Sequence, residues 1–383
     1  MRNMHIMLKP ASGLCNMACR YCFYADETQK RSVANHGLMS EETLRNVLSR
    51  ALESVTHNCT ISFQGGEPTL AGLAFFQRAV RLSRELNVNR CRLSFSIQTN
   101  GLLLDEEWCS FFAREGFLVG LSLDGPKELH DANRVDREGR GTYNRVLHAL
   151  HLLRRHRVSV NILTVVTGDT SRRFRHVYQF FRREGLEYQQ YIPCLDPLEQ
   201  ERGTQPWSLS PPRFERYLKT AFDCWYQDLT AGRETRHRYF DNLLLLMDAQ
   251  PPEACGMLGV CGMQYVVEAD GSAYPCDFYM LDPYCLGNLN QDTIADLDIR
   301  REKMGFVQQS LSLHPDCRSC QWLPLCRGGC RRDRDLFQDG IGKNYYCSAY
   351  QGFFSYAWPR LEALYRAGRG HPPRIGPCSA STP

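Results

Sequence analysis

The chain has 383 residues, long enough for two domains or for one large domain with an extension. With 43% hydrophobic and 23% charged residues it is globular, which excludes a disordered chain. A formal net charge of +4 excludes the strong basic bias of a nucleic-acid protein, and no run of 18 apolar residues exists to form a membrane-spanning helix.

The N-terminus, Met1-Arg2-Asn3-Met4-His5-Ile6, has no apolar signal region, so the expected compartment is the cytoplasm. Disulfides are rare there, and 18 cysteines in that setting point to metal. Short apolar runs predict six strands, at residues 5–8, 60–63, 93–97, 118–123, 158–166 and 188–192. Helical patterns lie between them. Ser40 with Glu41 and Glu42 caps one that carries Leu44, Val47, Leu48 and Leu52; Val146, Leu150 and Leu153 mark a second, and Val177, Phe180 and Phe181 a third. Strand–helix alternation predicts an α/β fold with a parallel sheet, and six repeats predict an open, partial (β/α)6 TIM-type barrel with its chemistry at the C-terminal strand ends. Prolines and glycines break the pattern at 195–212, helices follow at about 213–230 and 239–247, and 255–347 is cysteine-rich. The expected domains are therefore 1–195, a barrel; 196–250, a linker with connecting helices; 251–350, a metal-held extension; and 351–383, a C-terminal helix and frayed tail.

Three cysteines follow the first strand, in Cys15-Asn16-Met17-Ala18-Cys19-Arg20-Tyr21-Cys22. Three thiolates at this spacing can hold three irons of a 4Fe–4S cluster and leave the fourth open to a small molecule. The alternatives are a zinc half-site or unrelated core thiols. Gly65-Gly66-Glu67-Pro68 follows the second strand on the same face; two glycines admit a ligand to the backbone, and Glu67 is able to accept from an amino group. Downstream, Cys261, Gly271 and Cys276 are followed by Cys317, Cys320, Cys326, Cys330 and Cys347. The C-x2-C-x5-C-x3-C spacing arises by chance in roughly 0.002 of chains of this composition. Counting Cys255, these eight thiols suit either two zinc sites or two fully ligated iron–sulfur clusters. Cys59, Cys91, Cys109, Cys194, Cys224, Cys285 and Cys378 lack a ligand pattern and read as packed small side chains. The basic run 327–334 reads as a solvated face that an electron donor could use.

The cysteine loop with Phe23, Tyr24 and the Gly65-Gly66-Glu67-Pro68 turn resembles the radical S-adenosylmethionine superfamily, and the later cysteines resemble its SPASM extension. Phe63-Gln64-Gly65-Gly66-Glu67-Pro68-Thr69-Leu70-Ala71-Gly72, Gln98-Thr99-Asn100-Gly101, Leu121-Ser122-Leu123-Asp124-Gly125-Pro126 and Tyr274-Pro275-Cys276-Asp277-Phe278-Tyr279 together resemble the anaerobic sulfatase-maturating enzymes, over residues 5–361. That resemblance implies oxidation of a cysteine or serine to formylglycine in an unfolded sulfatase segment bearing Cys/Ser-x-Pro-x-Arg. It implies S-adenosylmethionine and three 4Fe–4S clusters. Cys15, Cys19 and Cys22 would ligate the first; Cys255, Cys261, Cys276 and Cys330 the second; Cys317, Cys320, Cys326 and Cys347 the third. By the same resemblance Gly65, Gly66, Glu67, Ser122, Asn161 and Leu195 contact the cofactor, Gln64, Gln98 and Tyr24 contact the peptide, and Asp277 is the base that takes the substrate proton. An electron donor such as flavodoxin or ferredoxin is the other implied partner. One rival is another SPASM peptide-modifying enzyme, forming a thioether or crosslink. Such enzymes often carry a leader-binding domain before the barrel, and a first ligand at residue 15 leaves no room for one. A second rival is a non-catalytic electron-transfer or zinc protein.

Overall fold

The computed structural model describes residues 3–334 and 342–369. The chain divides into two compact units that do not follow chain order. The first takes the residues up to Leu163 with Asp196–Gln200 and Met263–Met304; the second takes Thr164–Leu195, Glu201–Gly262 and the residues from Gly305 on. Ten strands occur among the described residues: β1 (Met4–Leu8), β2 (Asn58–Phe63), β3 (Arg92–Thr99), β4 (Leu118–Ser122), β5 (Ser159–Val166), β6 (Tyr188–Pro193), β7 (Arg236–His237), β8 (Gln264–Val267), β9 (Ser272–Tyr274) and β10 (Gly287–Asn288). β1 to β6 are the six strands read from the sequence, with ends displaced by at most two residues.

In the first unit the order is β10-β9-β8-β1-β2-β3-β4-β5. Every pairing from β8 through β5 is parallel, while β9 and β10 add antiparallel. Parallel neighbours need a crossover, and helices Glu41–Glu53, Leu73–Glu85, Glu106–Glu115 and Tyr143–Arg155 supply one each. Local chemistry sets their ends. The Ser40 hydroxyl accepts from the Thr43 N–H at 3.0 Å, and the Asp105 carboxylate accepts from the Trp108 N–H at 3.0 Å. Gly116, at φ 69°, ends the third of these helices in the left-handed region.

The two sheet faces differ. Cys59, Ile61 and Phe63 alternate inward from β2 and are buried. Phe63 meets Phe76 at 4.8 Å between ring centroids, Phe76 meets Trp108 at 5.1 Å, and Phe95 stacks on Phe117 at 5.4 Å. Each such ring contributes about 1.5–3 kcal/mol of burial. The opposite face is polar. His5 bonds Ser62 at 2.7 Å, Ser62 bonds Ser96 at 2.9 Å, and Thr60 bonds Ser94 at 3.1 Å. A sheet face of hydroxyls and an imidazole does not pack against an apolar helix.

β8 is the addition that the sequence did not announce. Four residues are too few to display a period, yet Tyr265, Val266 and Val267 are buried, with Val266 registered on Met7. This parallel pairing brings the short helical turn Asp277–Tyr279 to the end of β1. In the second unit β6 pairs parallel with β7. The expected helices are Pro211–Thr230 and Arg238–Met247, and with Cys347–Arg369 they share an aromatic core in which Phe240 lies 5.4 Å from Phe222 and 5.3 Å from Trp225. That last helix includes Gly368 and Arg369, and the rest of the expected tail lies outside the described residues.

Candidate functional site

The loop after β1 is folded by its own backbone. Ser12 N–H donates to the Lys9 carbonyl at 3.0 Å, Leu14 N–H to Ala11 at 2.9 Å, and Cys22 N–H to Cys19 at 3.2 Å. Cys15 and Cys19 are half-buried and Cys22 is exposed at the start of helix Phe23–Gln29. The three thiols stand within electrostatic reach of one another. Burial pushes the Cys15 thiol up to about 11 and the Cys19 thiol up to about 12. Thiols so placed become thiolates when a cation replaces their protons, as cluster irons do. Among the described residues no three His, Cys, Asp or Glu meet at one point as a single ion requires, a spacing that does not bear on a cluster, whose thiolates each bind a different iron.

The Gly65-Gly66-Glu67 turn clasps this loop. Gly66 N–H donates to Ser12 at 2.9 Å and Glu67 N–H to Leu14 at 2.7 Å. Gly65 takes φ 132°, and a Cβ on Gly66 would fall on the Leu14 carbonyl oxygen. The Glu67 carboxylate is 1% exposed and already engaged. Oε1 accepts from Thr69 N–H at 3.0 Å, Thr69 Oγ1 at 2.5 Å and Thr99 Oγ1 at 2.7 Å; Oε2 accepts from Asn100 N–H at 2.8 Å. Burial raises its pKa against the pull of those donors. The side chain thus fastens the turn to the end of β3, and what the turn presents to a ligand is backbone.

Asp277 reaches the ends of β1 and β2. One carboxylate oxygen pairs with Lys9 Nζ and the other accepts from Gln64 Nε2 at 3.0 Å. Lys9 is 0% exposed, and its ammonium lies 4.2 Å from the centroid of the Tyr24 ring. The Tyr24 hydroxyl donates to Glu268, which Arg31 pairs at 2.6 Å. Burial works to raise the Glu268 carboxyl, but Arg31 and Tyr24 hold it below the ordinary range. On β3, Gln98 Nε2 donates to Ser122 Oγ at 3.0 Å across Gly120, whose missing side chain leaves room for the amide. Asn161 registers on Gly120 from β5. Gln64, Gln98, Ser122, Asn161, Tyr24 and Asp277 are thus all in the first unit, with the cysteine loop.

Lys9 escaped the sequence reading, because a lysine closing a strand has no motif. Tyr21, Asp124 and Arg134 escaped it too. Arg134 pairs with Asp124 at 3.1 Å, Tyr21 donates to the same carboxylate, and the guanidinium acts on the Cys19 thiol. The signal available was the Asp124-Gly125-Pro126 string, two residues past the end of β4.

The second unit brings two sets of thiols together. Cys330 is within electrostatic reach of Cys255 and Cys261, and Cys326 of Cys317, Cys320 and Cys347. Burial pushes Cys326 up to about 12. Cys276 belongs to the first unit and Leu195 to the second. Of the unpatterned cysteines, Cys59, Cys91, Cys109, Cys194 and Cys224 are buried, Cys285 is exposed, and Cys378 lies outside the described residues. The run 327–334 corrects an expectation: Arg331, Arg332 and Arg334 are buried, not solvated. Backbone carbonyls are the reason. Arg331 donates to Phe306 at 2.8 Å, and Arg334 to Ser310 at 3.1 Å and Ser312 at 3.2 Å.

Residues 10–181 match the radical SAM superfamily, and residues 258–321 match the SPASM iron–sulfur cluster-binding domain. The chain is 44% identical over 357 residues to a cysteine-type anaerobic sulfatase-maturating enzyme of Clostridium perfringens strain 13, covering 93% of this chain and 96% of that one. To the serine-type enzyme of Klebsiella aerogenes it is 31% identical over 359 residues, covering 92% and 84%. The solved structure of native anSMEcpe with bound AdoMet and Cp18Cys peptide matches with a TM-score of 0.91 at 42% identity, over 96% of this chain and 100% of that one. Streptococcus suis SuiB bound to its precursor peptide SuiA, at TM-score 0.63 and 15% identity, shares the fold. On this identity and coverage, the chain belongs to the anaerobic sulfatase-maturating enzymes of the radical SAM superfamily.

Proposed function

We propose that this protein oxidises a cysteine or serine side chain in an unfolded sulfatase segment to Cα-formylglycine. The observation that carries the reading is the Asp277 carboxylate, fixed between Lys9 and Gln64 at the strand ends of the unit that holds the Cys15, Cys19 and Cys22 loop. Bound by those thiolates, a 4Fe–4S cluster supplies the electron that cleaves S-adenosylmethionine, and so the radical that takes one hydrogen atom from the substrate β-carbon.

The chain's own residues do the rest. The backbone of Gly65, Gly66 and Glu67 meets the methionine end of the cofactor, with Ser122, Asn161 and Leu195 as further contacts. Gln64 and Gln98 bond the extended peptide, and Tyr24 offers its ring, its hydroxyl being donated to Glu268. Asp277 accepts the thiol or hydroxyl proton as the second electron leaves. Hydrogen atom, proton and electron together make the two-electron oxidation; a thioaldehyde formed from cysteine then exchanges sulfur for water oxygen. Two auxiliary clusters would be held by Cys255, Cys261, Cys276 and Cys330 and by Cys317, Cys320, Cys326 and Cys347, making three in all, and would supply an acceptor and exit path for the second electron. A flavodoxin- or ferredoxin-like donor reduces the first, in the reducing cytoplasm. The higher identity to the cysteine-type relatives supports a cysteine target.

Asp277→Asn tests the reading. The variant is expected to keep cleaving S-adenosylmethionine, measured as 5′-deoxyadenosine, while formylglycine in a Cys-x-Pro-x-Arg peptide falls at least about a hundredfold, the scale of general-base catalysis. Undiminished formylglycine would remove Asp277 as the base.

A further inference from the structure

Arg334 has no part in the chemistry described above, yet it is placed among the thiols of the second unit. It is 3% exposed. Its two terminal nitrogens donate to the Ser310 and Ser312 carbonyls at 3.1 and 3.2 Å. The Ser310 hydroxyl in turn accepts from the Cys261 N–H at 2.9 Å, so one residue joins the guanidinium to that cysteine's backbone. On another side, Nη1 lies 3.5 Å from where a Cβ on Gly328 would stand, midway in sequence between Cys326 and Cys330. The third nitrogen, Nε, is buried, and its N–H has no hydrogen-bond partner among the described residues. The charge acts on Cys261 and Cys330 of one expected cluster and on Cys317 of the other.

A guanidinium stays charged at any pH the protein meets. A buried cation with an unused donor, set between two groups of cluster thiols, complements negative charge on the clusters and their sulfurs. Reduction adds one negative charge to a cluster, so a fixed cation nearby stabilises the reduced form and raises the potential. We propose that Arg334 is a positioning residue of the electron-exit path: it raises the reduction potential of the auxiliary clusters through its charge and donates its Nε–H to a cluster sulfur. The substrate radical is thereby oxidised by one electron, an auxiliary cluster is reduced by one, and the proton goes to Asp277. The inference rests on the reading of these thiols as cluster ligands.

The test is an EPR-monitored redox titration of the anaerobic holoenzyme, with iron and sulfide quantified. Added S-adenosylmethionine moves the first cluster's signal away from the others. Arg334→Gln is expected to shift the oxidised-to-reduced ratio of an auxiliary cluster about tenfold toward oxidised at fixed potential, about 59 mV for one electron. Arg334→Lys, which keeps the charge, is expected to stay within about threefold of the parent. Full iron content with an unmoved potential in Arg334→Gln overturns the inference, as does an equal shift in both variants. Should Arg334→Gln lose iron, the unmodified enzyme decides: 15N-arginine labelling is expected to give a nitrogen coupling to a reduced auxiliary cluster that Arg334→Lys lacks, and its absence overturns the inference. An unmodified enzyme holding the iron of one cluster only would instead remove the auxiliary-cluster reading beneath it.

Discussion

Lys9 and Asp277 are 268 positions apart in sequence and form a buried ion pair. Leaving one partner of such a pair uncompensated costs about 3–5 kcal/mol. Lys9→Met is therefore expected to lower stability by about that much in chemical denaturation. Its formylglycine yield per S-adenosylmethionine cleaved should also fall at least tenfold, with partial recovery in Lys9→Arg. An unchanged ratio of the two products in a folded Lys9→Met would show that the pair does not position the base. Asp277 was singled out by the family resemblance, at the position after Cys276; Lys9 was not, because nothing in a lysine just past a strand announces a partner so remote. Glu67 shows a different limit. The sequence reads it as an acceptor for a ligand, and the structure gives its carboxylate to Thr69, Thr99 and Asn100. Acceptor capacity is written in the residue type, but which donors fill it depends on the fold.

Among elements, the cysteine loop and the glycine turn act as one piece. Their two backbone hydrogen bonds, at 2.9 and 2.7 Å, leave no space at Gly66 for a side chain. Gly66→Ala is expected to push the turn off the loop, so the first cluster should be lost while secondary structure by circular dichroism remains. Full iron content and unimpaired cofactor cleavage in that variant would contradict the clasp. Strands β1 to β6 were readable from short apolar or alternating stretches, such as Cys59, Ile61 and Phe63 in β2 and Leu93, Phe95 and Ile97 in β3. β8 was not, because a four-residue strand of a cysteine-rich segment has no period, and its pairing with β1 is non-local. The buried arginines of 327–334 misread for a similar reason: charge predicts solvent, and only the fold supplies the carbonyls that take its place.

Over the whole molecule, one unit carries the Cys15, Cys19 and Cys22 loop with Asp277, the proposed base, and the other carries Cys255, Cys261, Cys317, Cys320, Cys326, Cys330 and Cys347. The grouping of the second unit's thiols came from the family resemblance and not from spacing, which by itself left two zinc sites or two clusters open. The partition of the chain into interleaved units was not foreseen, since contacts of that range leave no local signature. The account's central claim is formylglycine synthesis, and the mass of the peptide tests it most directly. Anaerobic protein, reductant and S-adenosylmethionine should convert a Cys-x-Pro-x-Arg peptide to a product with the mass of formylglycine that reacts with an aldehyde probe. A peptide left unchanged while 5′-deoxyadenosine accumulates, or one that loses two hydrogens to a thioether and gains no aldehyde, would contradict it.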